Sequence, residues 1–409
     1  MRRLLVACAL WACVFSLTSC QAGTACGSFP LDDDTRRCMV STIDELVHTH
    51  YPFAAQKDVD LELFSKTLWS AVDDSELDDE TFLTRLANAL ALLSDGHTRL
   101  ERYQLREAGV PPVRLALRGG QVVVRQASGE AGLRAGAVVD TIDGEPAAEV
   151  MRRAVTLVRR GEAGEVMLRG SESALAGEVG TRVRVTTASG ESVELRREAV
   201  LHEPFARRLG DVGYLRIKTF GFIDDLDRLD VLVNELLDTR ALIIDLRDNG
   251  GGFPSVSDGL FGRLVGEDAR AFELVDRQGR VYRRMEAPAR GRTYQGPVVV
   301  LVNEGTFSAS NYFAHRMVEE GRGVLIGGRT GGGAASPDRG LMLVDGLWFQ
   351  VSTYVVQTLT GENTEDGLEP TIVLPVERET LEAGDGARRF SVEGDPQLER
   401  ARRYLEGLR

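Results

Sequence analysis

Residues 297–333 constrain the fold more than any other stretch, because an apolar run, a break, an amphipathic stretch and a second apolar run follow one another there. The run VVVLV at 298–302 is typical of a strand buried on both faces of a parallel sheet. Asn303, Gly305 and Thr306 end that strand, and apolar residues then recur at helical spacing from Ser308 to Gly321. The sequence therefore predicts a strand, a sharp turn, a helix and a strand, which is the order of an α/β unit.

The predicted turn places Ser308 at the N-terminus of the helix. Free backbone N–H groups and the positive end of the helix dipole favour a hydroxyl that loses its proton. The N–H of Ala309 can also face a developing oxyanion. Ser308 is therefore a candidate nucleophile, although most serines at such positions simply cap the helix.

A second segment, ALIIDLRDNGGG at 241–252, predicts another buried strand that runs into three consecutive glycines. Glycines let a backbone approach a ligand closely, so this loop can donate a second N–H to the same oxyanion. An ordinary strand-to-helix turn has a similar composition, and the loop alone does not separate the two interpretations.

Five segments together resemble the tail-specific, or C-terminal processing, serine protease family. They are GYLRIKTF (213–220), DLRDNGGG (245–252), NEGTFSASN (303–311), GGRTGGG (327–333) and GLEP (367–370). The resemblance implies a crotonase-like, ClpP-like α/β core. It also implies Ser308 as nucleophile, with Ala309 and Gly251 forming the oxyanion hole.

The resemblance leaves the general base to be identified, and a serine hydroxyl needs one at neutral pH. One branch of the family uses a lysine where this chain has Gly333. The chain's three lysines, Lys57, Lys66 and Lys218, all lie outside the glycine-rich segment, so a serine-lysine dyad is disfavoured. The motif DGHT at 95–98 resembles the tricorn-type branch instead, which implies His97 as the base.

The local pattern positions that histidine. Phe82, Leu86, Leu90 and Leu93 predict an amphipathic helix ending at Gly96, so that His97 lies just past its C-terminus. An isolated histidine in a turn commonly serves only as a hydrogen-bonding group. Competing histidines lie outside any comparable motif: His48, His50, His202 and His315.

A carboxylate is expected to orient the imidazole, and TGENTEDGLEP at 360–370 resembles the family's late acidic motif. Glu365 is the favoured residue. The alternatives nearby are Glu362, Asp366 and Glu369, and any of the four can be a solvated loop charge. Asn311 and Thr371 stand where the family usually has acidic residues, so the subfamily stays open.

The N-terminus has the pattern of a secretory signal peptide, with Arg2 and Arg3 before an apolar stretch at 4–17. The motif LTSC at 17–20 resembles a bacterial lipobox, which implies cleavage before Cys20 and an acyl anchor on its sulfur. The predicted location is the bacterial cell envelope, in the outer membrane or periplasm, with the chain bound to the bilayer through that anchor. An ordinary secreted protein is the alternative.

Five cysteines occur in the chain, and Cys8 and Cys13 lie in the predicted signal peptide. With Cys20 acylated, Cys26 and Cys38 remain as a plausible disulfide in an oxidising compartment. Two cysteines without clustered histidines cannot complete a tetrahedral zinc shell, and no metal or cofactor is implied.

The pattern of apolar residues divides the chain after the signal peptide at 1–19. Residues 129–150 resemble part of a PDZ domain, a fold that binds the C-termini of polypeptides, although a purely structural β domain remains open. The predicted parts are a tether (20–38), an N-terminal helical domain (39–108), a PDZ-like β domain (109–202), the protease core (203–385) and a charged C-terminal tail (386–409). The tail is expected to form a terminal helix or to be partly disordered.

The formal net charge of −13 and the absence of a basic patch interleaved with aromatics disfavour nucleic-acid binding. The sequence therefore predicts a lipid-anchored extracytoplasmic serine endopeptidase that acts on polypeptides. Two rivals remain: a protein that binds peptides or apolar ligands on the same scaffold without cutting them, and an esterase-like hydrolase. The oligomeric state is not indicated.

Overall fold

A computed structural model describes most of the chain. The signal peptide and Cys20 lie outside the described residues, as does part of the C-terminal tail. The described residues are 24–102, 109–118, 120–127, 131–154, 156–160, 166–169, 174–198, 203–266, 271–333, 335–337, 339–374 and 395–408.

The N-terminal part is helical and leads into a short strand. Its elements are α1 (Asp33–His50), α2 (Leu61–Trp69), α3 (Asp79–Leu90) and β1 (Arg99–Arg102). Each helix begins after an aspartate whose side chain accepts a hydrogen bond from a first-turn N–H, which satisfies an otherwise open donor. Helix α3 ends at Leu90 rather than at Gly96, because a 3₁₀ turn (Ala91–Leu93) and Ser94 at φ 50° follow it.

The following part is a β domain with one helix. Its strands and helix are β2 (Val113–Arg118), β3 (Gln121–Ala127), β4 (Val138–Ile142), β5 (Glu145–Pro146), α4 (Ala147–Ala154), β6 (Thr156–Arg160), β7 (Val166–Arg169), β8 (Arg182–Thr187) and β9 (Ser192–Arg196). The sheet order is β2-β3-β4-β8-β9, with β5 paired to β4, while β6 and β7 form a separate hairpin.

In the core, the glycine loop and the serine turn each come directly after a strand. Its elements are β10 (Phe205–Leu209), β11 (Val212–Arg216), α5 (Asp225–Leu236), β12 (Ala241–Asp245), α6 (Pro254–Gly262), β13 (Phe272–Val275), β14 (Val281–Met285), β15 (Val298–Val302), α7 (Ala309–Glu319), β16 (Gly323–Gly327), β17 (Ala335–Ser336), β18 (Arg339–Val344), β19 (Leu347–Val351), β20 (Tyr354–Thr358) and β21 (Ile372–Val373).

The main sheet has the order β10-β11-β12-β15-β16-β21, and every pairing after β10 is parallel. All residues of β12 and β15 are buried, as expected for central strands covered on both faces. The carboxyl ends of β12 and β15 lie at one edge, where the glycine loop and the serine turn meet. A second sheet has the order β14-β13-β20-β17.

The helical part shares a sheet and a hydrophobic core with the part of the chain that follows the β domain. Strand β1 pairs antiparallel with β19, which pairs with β18. Apolar side chains of α1 and α3, such as Ile43 and Leu86, pack in one cluster with Leu343 and Phe349. The turn that follows α3 is therefore held in register with the core.

The C-terminal part of the chain contains a helix that packs on the core. Helix α8 (Pro396–Glu406) buries Leu398, Ala401 and Leu405 against the main sheet. Just before it, Asp395 forms a buried ion pair with Arg247 at 2.7 Å. Helix α8 thus packs on the core, whose predicted boundary was residue 385.

At the other end, Cys26 and Cys38 are joined by a disulfide with Cα atoms 5.5 Å apart. It ties the first described segment to α1, and the backbone N–H of Cys26 also bonds to Leu343 O in β18. Among the described residues, no helix is long and apolar enough to cross a bilayer.

Candidate active site

Ser308 occupies a strained turn between β15 and α7. Its backbone lies at φ 57° and ψ −125°, a conformation that costs a residue with a side chain about 1–3 kcal/mol. Its side chain makes no capping hydrogen bond to the helix, so the cap interpretation does not describe this serine. The hydroxyl is instead presented away from the helix backbone.

Backbone hydrogen bonds from the surrounding loops hold this turn. The N–H of Ser308 donates to Gly332 O at 3.0 Å, and the N–H of Phe307 donates to Asn249 O at 2.9 Å. The Thr306 hydroxyl donates to Leu246 O at 2.9 Å, at the end of the neighbouring strand. The strain at Ser308 is thus offset by contacts with both glycine-rich loops.

His97 reaches Ser308 from the helical part of the chain. The Nε2 atom of His97 lies 2.9 Å from Ser308 Oγ, across 211 positions of sequence, and the histidine is only 4% exposed. The His97 ring also stacks on the ring of Phe307, with centroids 4.8 Å apart. The 2.9 Å separation of His97 Nε2 and Ser308 Oγ is a distance at which an imidazole can take a proton from a hydroxyl.

The turn that carries His97 is held by its own motif and by the core. Asp95 accepts hydrogen bonds from the His97 backbone N–H at 2.9 Å and from the Thr98 hydroxyl at 2.6 Å. Gln350 of β19 donates to His97 O at 2.8 Å. Burial alone would raise the pKa of Asp95, but the charges of Lys57 and His97, together with side-chain hydrogen bonds such as that from Thr98, lower that pKa below its usual value.

Two further residues hold this turn, and the sequence reasoning assigned them no role. The Tyr51 hydroxyl donates to Leu93 O at 2.6 Å, and Lys57 Nζ donates to Ser94 O at 2.7 Å. Burial, followed by the charges of Asp95 and Glu365, raises the pKa of Tyr51, so its phenol stays a donor. No local motif marks either residue, because both act through contacts distant in sequence.

Among the four late carboxylates, Glu365 is the buried one, with 5% exposure. It accepts a hydrogen bond from Lys57 Nζ at 2.7 Å. Asn311, where the family usually has an acid, donates to Thr364 O at 2.9 Å and so connects α7 to the loop of Glu365. The other candidates are exposed on the same loop: Glu362, Asp366 and Glu369.

The glycine loop lies directly against Ser308. A Cβ atom built on Gly251 would be 2.6 Å from Ser308 Cβ and 2.9 Å from Ala309 N, which is closer than side-chain carbons approach. The Gly251 N–H itself donates to Asn249 Oδ1 at 2.9 Å. In this conformation Gly251 therefore lets the glycine loop approach Ser308 closely. Its predicted role as an oxyanion donor requires the Asn249 side chain to release the Gly251 N–H.

The structure leaves no room for a side chain at position 333, where one branch of the family has a lysine. A Cβ atom at this position would lie 2.5 Å from the ring of Phe307, the ring on which His97 stacks. Any side chain at 333 would displace Phe307 and with it the imidazole. A lysine at that position and the His97–Ser308 contact are therefore incompatible in this arrangement.

The competing histidines lie in other surroundings. His48 is exposed and bonds to Ser65 Oγ at 2.8 Å, and His202 lies outside the described residues. Burial lowers the pKa of His315 to about 4. His50 is partly buried, and burial followed by the charges of Arg339 and Arg277 lowers its pKa.

Within the described part of the chain, no group of three or more His, Cys, Asp or Glu side chains could hold a metal ion.

Comparison with known proteins finds similarity to peptidases in the part of the chain that contains Ser308. The family model described as peptidase family S41 matches residues 211–374. The tricorn protease of Thermoplasma volcanium is 27% identical over 217 residues, covering 50% of this chain and 18% of that protein. The tail-specific protease of Haemophilus influenzae is 30% identical over 185 residues, covering 42% of this chain and 26% of that protein. The chain thus spans less than a third of either relative.

Solved structures share the mixed α/β fold over most of the chain. The photosystem II D1 C-terminal processing protease gives a TM-score of 0.56 at 21% identity, covering 87% of this chain and 99% of that one. Mature CPAF gives a TM-score of 0.56 at 16% identity, covering 92% of this chain and 96% of that one. The similarity includes the N-terminal helical region.

Proposed function

We propose that the chain carries a serine peptidase domain similar to peptidase family S41, and that it cleaves polypeptides by an acyl-enzyme route in which His97 activates Ser308. The observation that carries this proposal is the 2.9 Å distance between His97 Nε2 and Ser308 Oγ. The strained backbone of Ser308, which keeps its hydroxyl out of a cap, supports the same role.

The proposed reaction starts when Ser308 Oγ attacks the scissile carbonyl carbon and His97 Nε2 takes the hydroxyl proton. The tetrahedral intermediate collapses as the carbon–nitrogen bond breaks, and His97 gives its proton to the departing amine. A water molecule then attacks the acyl-serine ester with His97 again as base, which releases the carboxylic acid and restores Ser308. We assign Glu365, the buried late carboxylate, to stabilise the imidazolium.

The oxyanion is assigned first to the N–H of Ala309. This residue begins α7, where backbone N–H groups have no intrahelical partner and the helix dipole favours negative charge. Gly251 leaves the space in front of that N–H open. Its own N–H becomes a second donor when the Asn249 side chain releases it.

Replacing Gly251 with alanine is expected to lower kcat/KM by about 10²–10³-fold, the cost of losing an oxyanion donor. The added methyl group would press on Ser308 Cβ and Ala309 N, and φ 96° disfavours any side chain there. Peptide hydrolysis by the purified variant measures the effect. Gly328→Ala is the matched control, because its nearest neighbour would lie 3.9 Å from the added Cβ atom. Equal losses in both variants would contradict the assignment.

Labelling with a fluorophosphonate tests the proposed function as a whole. We expect covalent modification of Ser308, located by mass spectrometry, and turnover of a casein-type polypeptide. An unlabelled serine in folded protein would favour the ligand-binding rival. Labelling with turnover of a simple ester but no cleavage of polypeptide would favour the esterase.

We propose that the β domain is PDZ-like, that the core is crotonase-like, and that the β domain presents the C-termini of substrates to the core. Helix α4 beside the sheet β2-β3-β4-β8-β9 supports the first assignment. Arg114 of β2 forms an ion pair with Asp248 of the glycine loop at 2.8 Å, which links the β domain to the site. Weaker binding of a peptide whose C-terminus is amidated would support this presentation, and equal binding would contradict it.

We also propose an acyl anchor on Cys20 that holds the chain at the cell envelope, on the strength of the LTSC motif. The wild-type chain expressed in a bacterium is expected to incorporate labelled palmitate and to sediment with membranes. Cys20→Ser should lose the label and appear in the soluble fraction, whereas Cys8→Ser should behave as wild type. Sedimentation of unlabelled Cys20→Ser protein with membranes would contradict the anchor.

A further inference from the structure

Lys57 connects the turn that carries His97 to the loop that carries Glu365. It lies between α1 and α2, and its side chain is only 13% exposed. Its ammonium group donates to Ser94 O, three residues before His97, and to Glu365 Oε1 in the core, both at 2.7 Å. It also lies 4.6 Å from the centre of the Phe53 ring, which adds a cation–π contact.

Two carboxylates from separate elements interact with this ammonium: Glu365 from the loop after β20 and Asp95 from the turn after α3. Asp95 also interacts with the charge of His97, and both carboxylates act on Tyr51 at the end of α1. Asp95 and Glu365 are 2% and 5% exposed, so each is a carboxylate withdrawn from water. Buried carboxylates stay ionised only where a cation or hydrogen bonds compensate for desolvation.

We propose that Lys57 is a positioning residue for the Ser308–His97 pair: it ties the His97 turn to the Glu365 loop and keeps the carboxylates around the imidazole negatively charged. The inference rests on the proposed peptidase function, because it states what Lys57 does for that site. A lysine can do this only while protonated, and Lys57 shares its protons with Ser94 O and Glu365 rather than with Ser308. It therefore does not act as the base of a serine-lysine dyad.

Removing the ammonium has a consequence that loss of packing alone does not have. In the wild type, the lowered pKa of Asp95 stabilises the fold above the unfolded pKa of about 3.9, and that stability is lost as pH falls. Without Lys57, the carboxylates are left buried with less compensation, and their pKa values rise in the folded state. The destabilisation of a Lys57→Met variant should therefore grow as pH increases from about 4 to 7.

The first readout is urea unfolding at pH 5 and pH 8, which does not depend on any activity. We expect Lys57→Met to lose about twice as much stability at pH 8 as at pH 5. Lys57→Arg, which keeps the charge, should recover most of the loss at pH 8. Lys66→Met is the matched control, since Lys66 is exposed on α2. If Lys57→Met does not fold at pH 8, the Lys57→Met, Glu365→Gln double variant should fold, because no unpaired carboxylate remains at 365.

The second readout is the pH profile of Ser308 labelling by a fluorophosphonate. In Lys57→Met, the ammonium no longer offsets the negative charge of the carboxylates, so these surroundings hold the His97 proton more tightly. This moves the acid limb of the profile to higher pH, by about half a pH unit or more. A role in packing alone would lower the rate equally at every pH.

The outcomes separate the two proposals. A pH-independent loss of stability together with an unmoved acid limb would overturn the role of Lys57 and leave the peptidase assignment intact. Absence of labelling in the wild type would overturn the peptidase assignment, and the unfolding series would then decide whether Lys57 holds the carboxylates ionised.

Discussion

Replacing Ser308 with alanine is expected to abolish polypeptide cleavage, with a fall in kcat of about 10⁴-fold or more. Alanine removes the only atom that forms the acyl bond, while the turn and its contacts with Gly332 and Asn249 remain. Substrate binding should survive, because the hydroxyl contributes to the reaction rather than to recognition. Cleavage kinetics and peptide binding by the purified variant measure both effects.

The matched control for this substitution is Ser75→Ala, since Ser75 is exposed on the loop between α2 and α3. It should retain wild-type kinetics. Residual cleavage by Ser308→Ala above a few per cent of the wild-type rate would show that another nucleophile carries the reaction.

The second large effect is expected for His97→Gln, which should lower kcat and kcat/KM together by at least about 10³-fold with KM nearly unchanged. The imidazole acts in the transition state, so its loss does not weaken binding of the ground state. Glutamine offers the turn a side chain that can still form hydrogen bonds but cannot exchange protons at neutral pH. Steady-state kinetics on a polypeptide substrate separate the two constants.

His48→Gln provides the control for the histidine substitution, because His48 is exposed and bonded to Ser65. Circular dichroism should show the same fold for both variants. If His97→Gln raised KM and left kcat unchanged, the imidazole would bind substrate, and the assignment of the general base would be wrong.

The sequence allowed the serine turn to be predicted because its determinants are local. The apolar run at 298–302, the break at Asn303 and Gly305, and the helical spacing after Ser308 each fix backbone geometry within a few residues. Bringing His97 to that turn required the family resemblance, since no local pattern joins residues 211 positions apart. The structure achieves it through the pairing of β1 with β19 and a shared core.

Features that depend on contacts distant in sequence were missed. The helix before His97 ends at Leu90, and Tyr51 and Lys57 hold the turn that follows it by donating to the carbonyls of Leu93 and Ser94. Likewise, the prediction that Gly251 donates its N–H did not foresee that Asn249 accepts it. A terminal helix was one of the two expectations for the charged tail, but its packing on the main sheet, where every third or fourth side chain of α8 is buried, was not predicted.

The structure gives a physical reason for the absence of a lysine at position 333. Glycine at 333 had argued against a serine-lysine dyad simply because no lysine stands there. The structure adds that the Phe307 ring fills the space a side chain would need, and that His97 stacks on this ring. The packing of the site thus disfavours a lysine at position 333.

The most direct test of the central claim compares the pH profile of Ser308 labelling with the ring titration of His97. The chain has only five histidines, so substitution of each assigns its ring signals by nuclear magnetic resonance. If His97 is the base for Ser308, the labelling rate rises along the same curve on which the His97 ring loses its proton. A labelling rate that stays constant while His97 titrates would contradict the account.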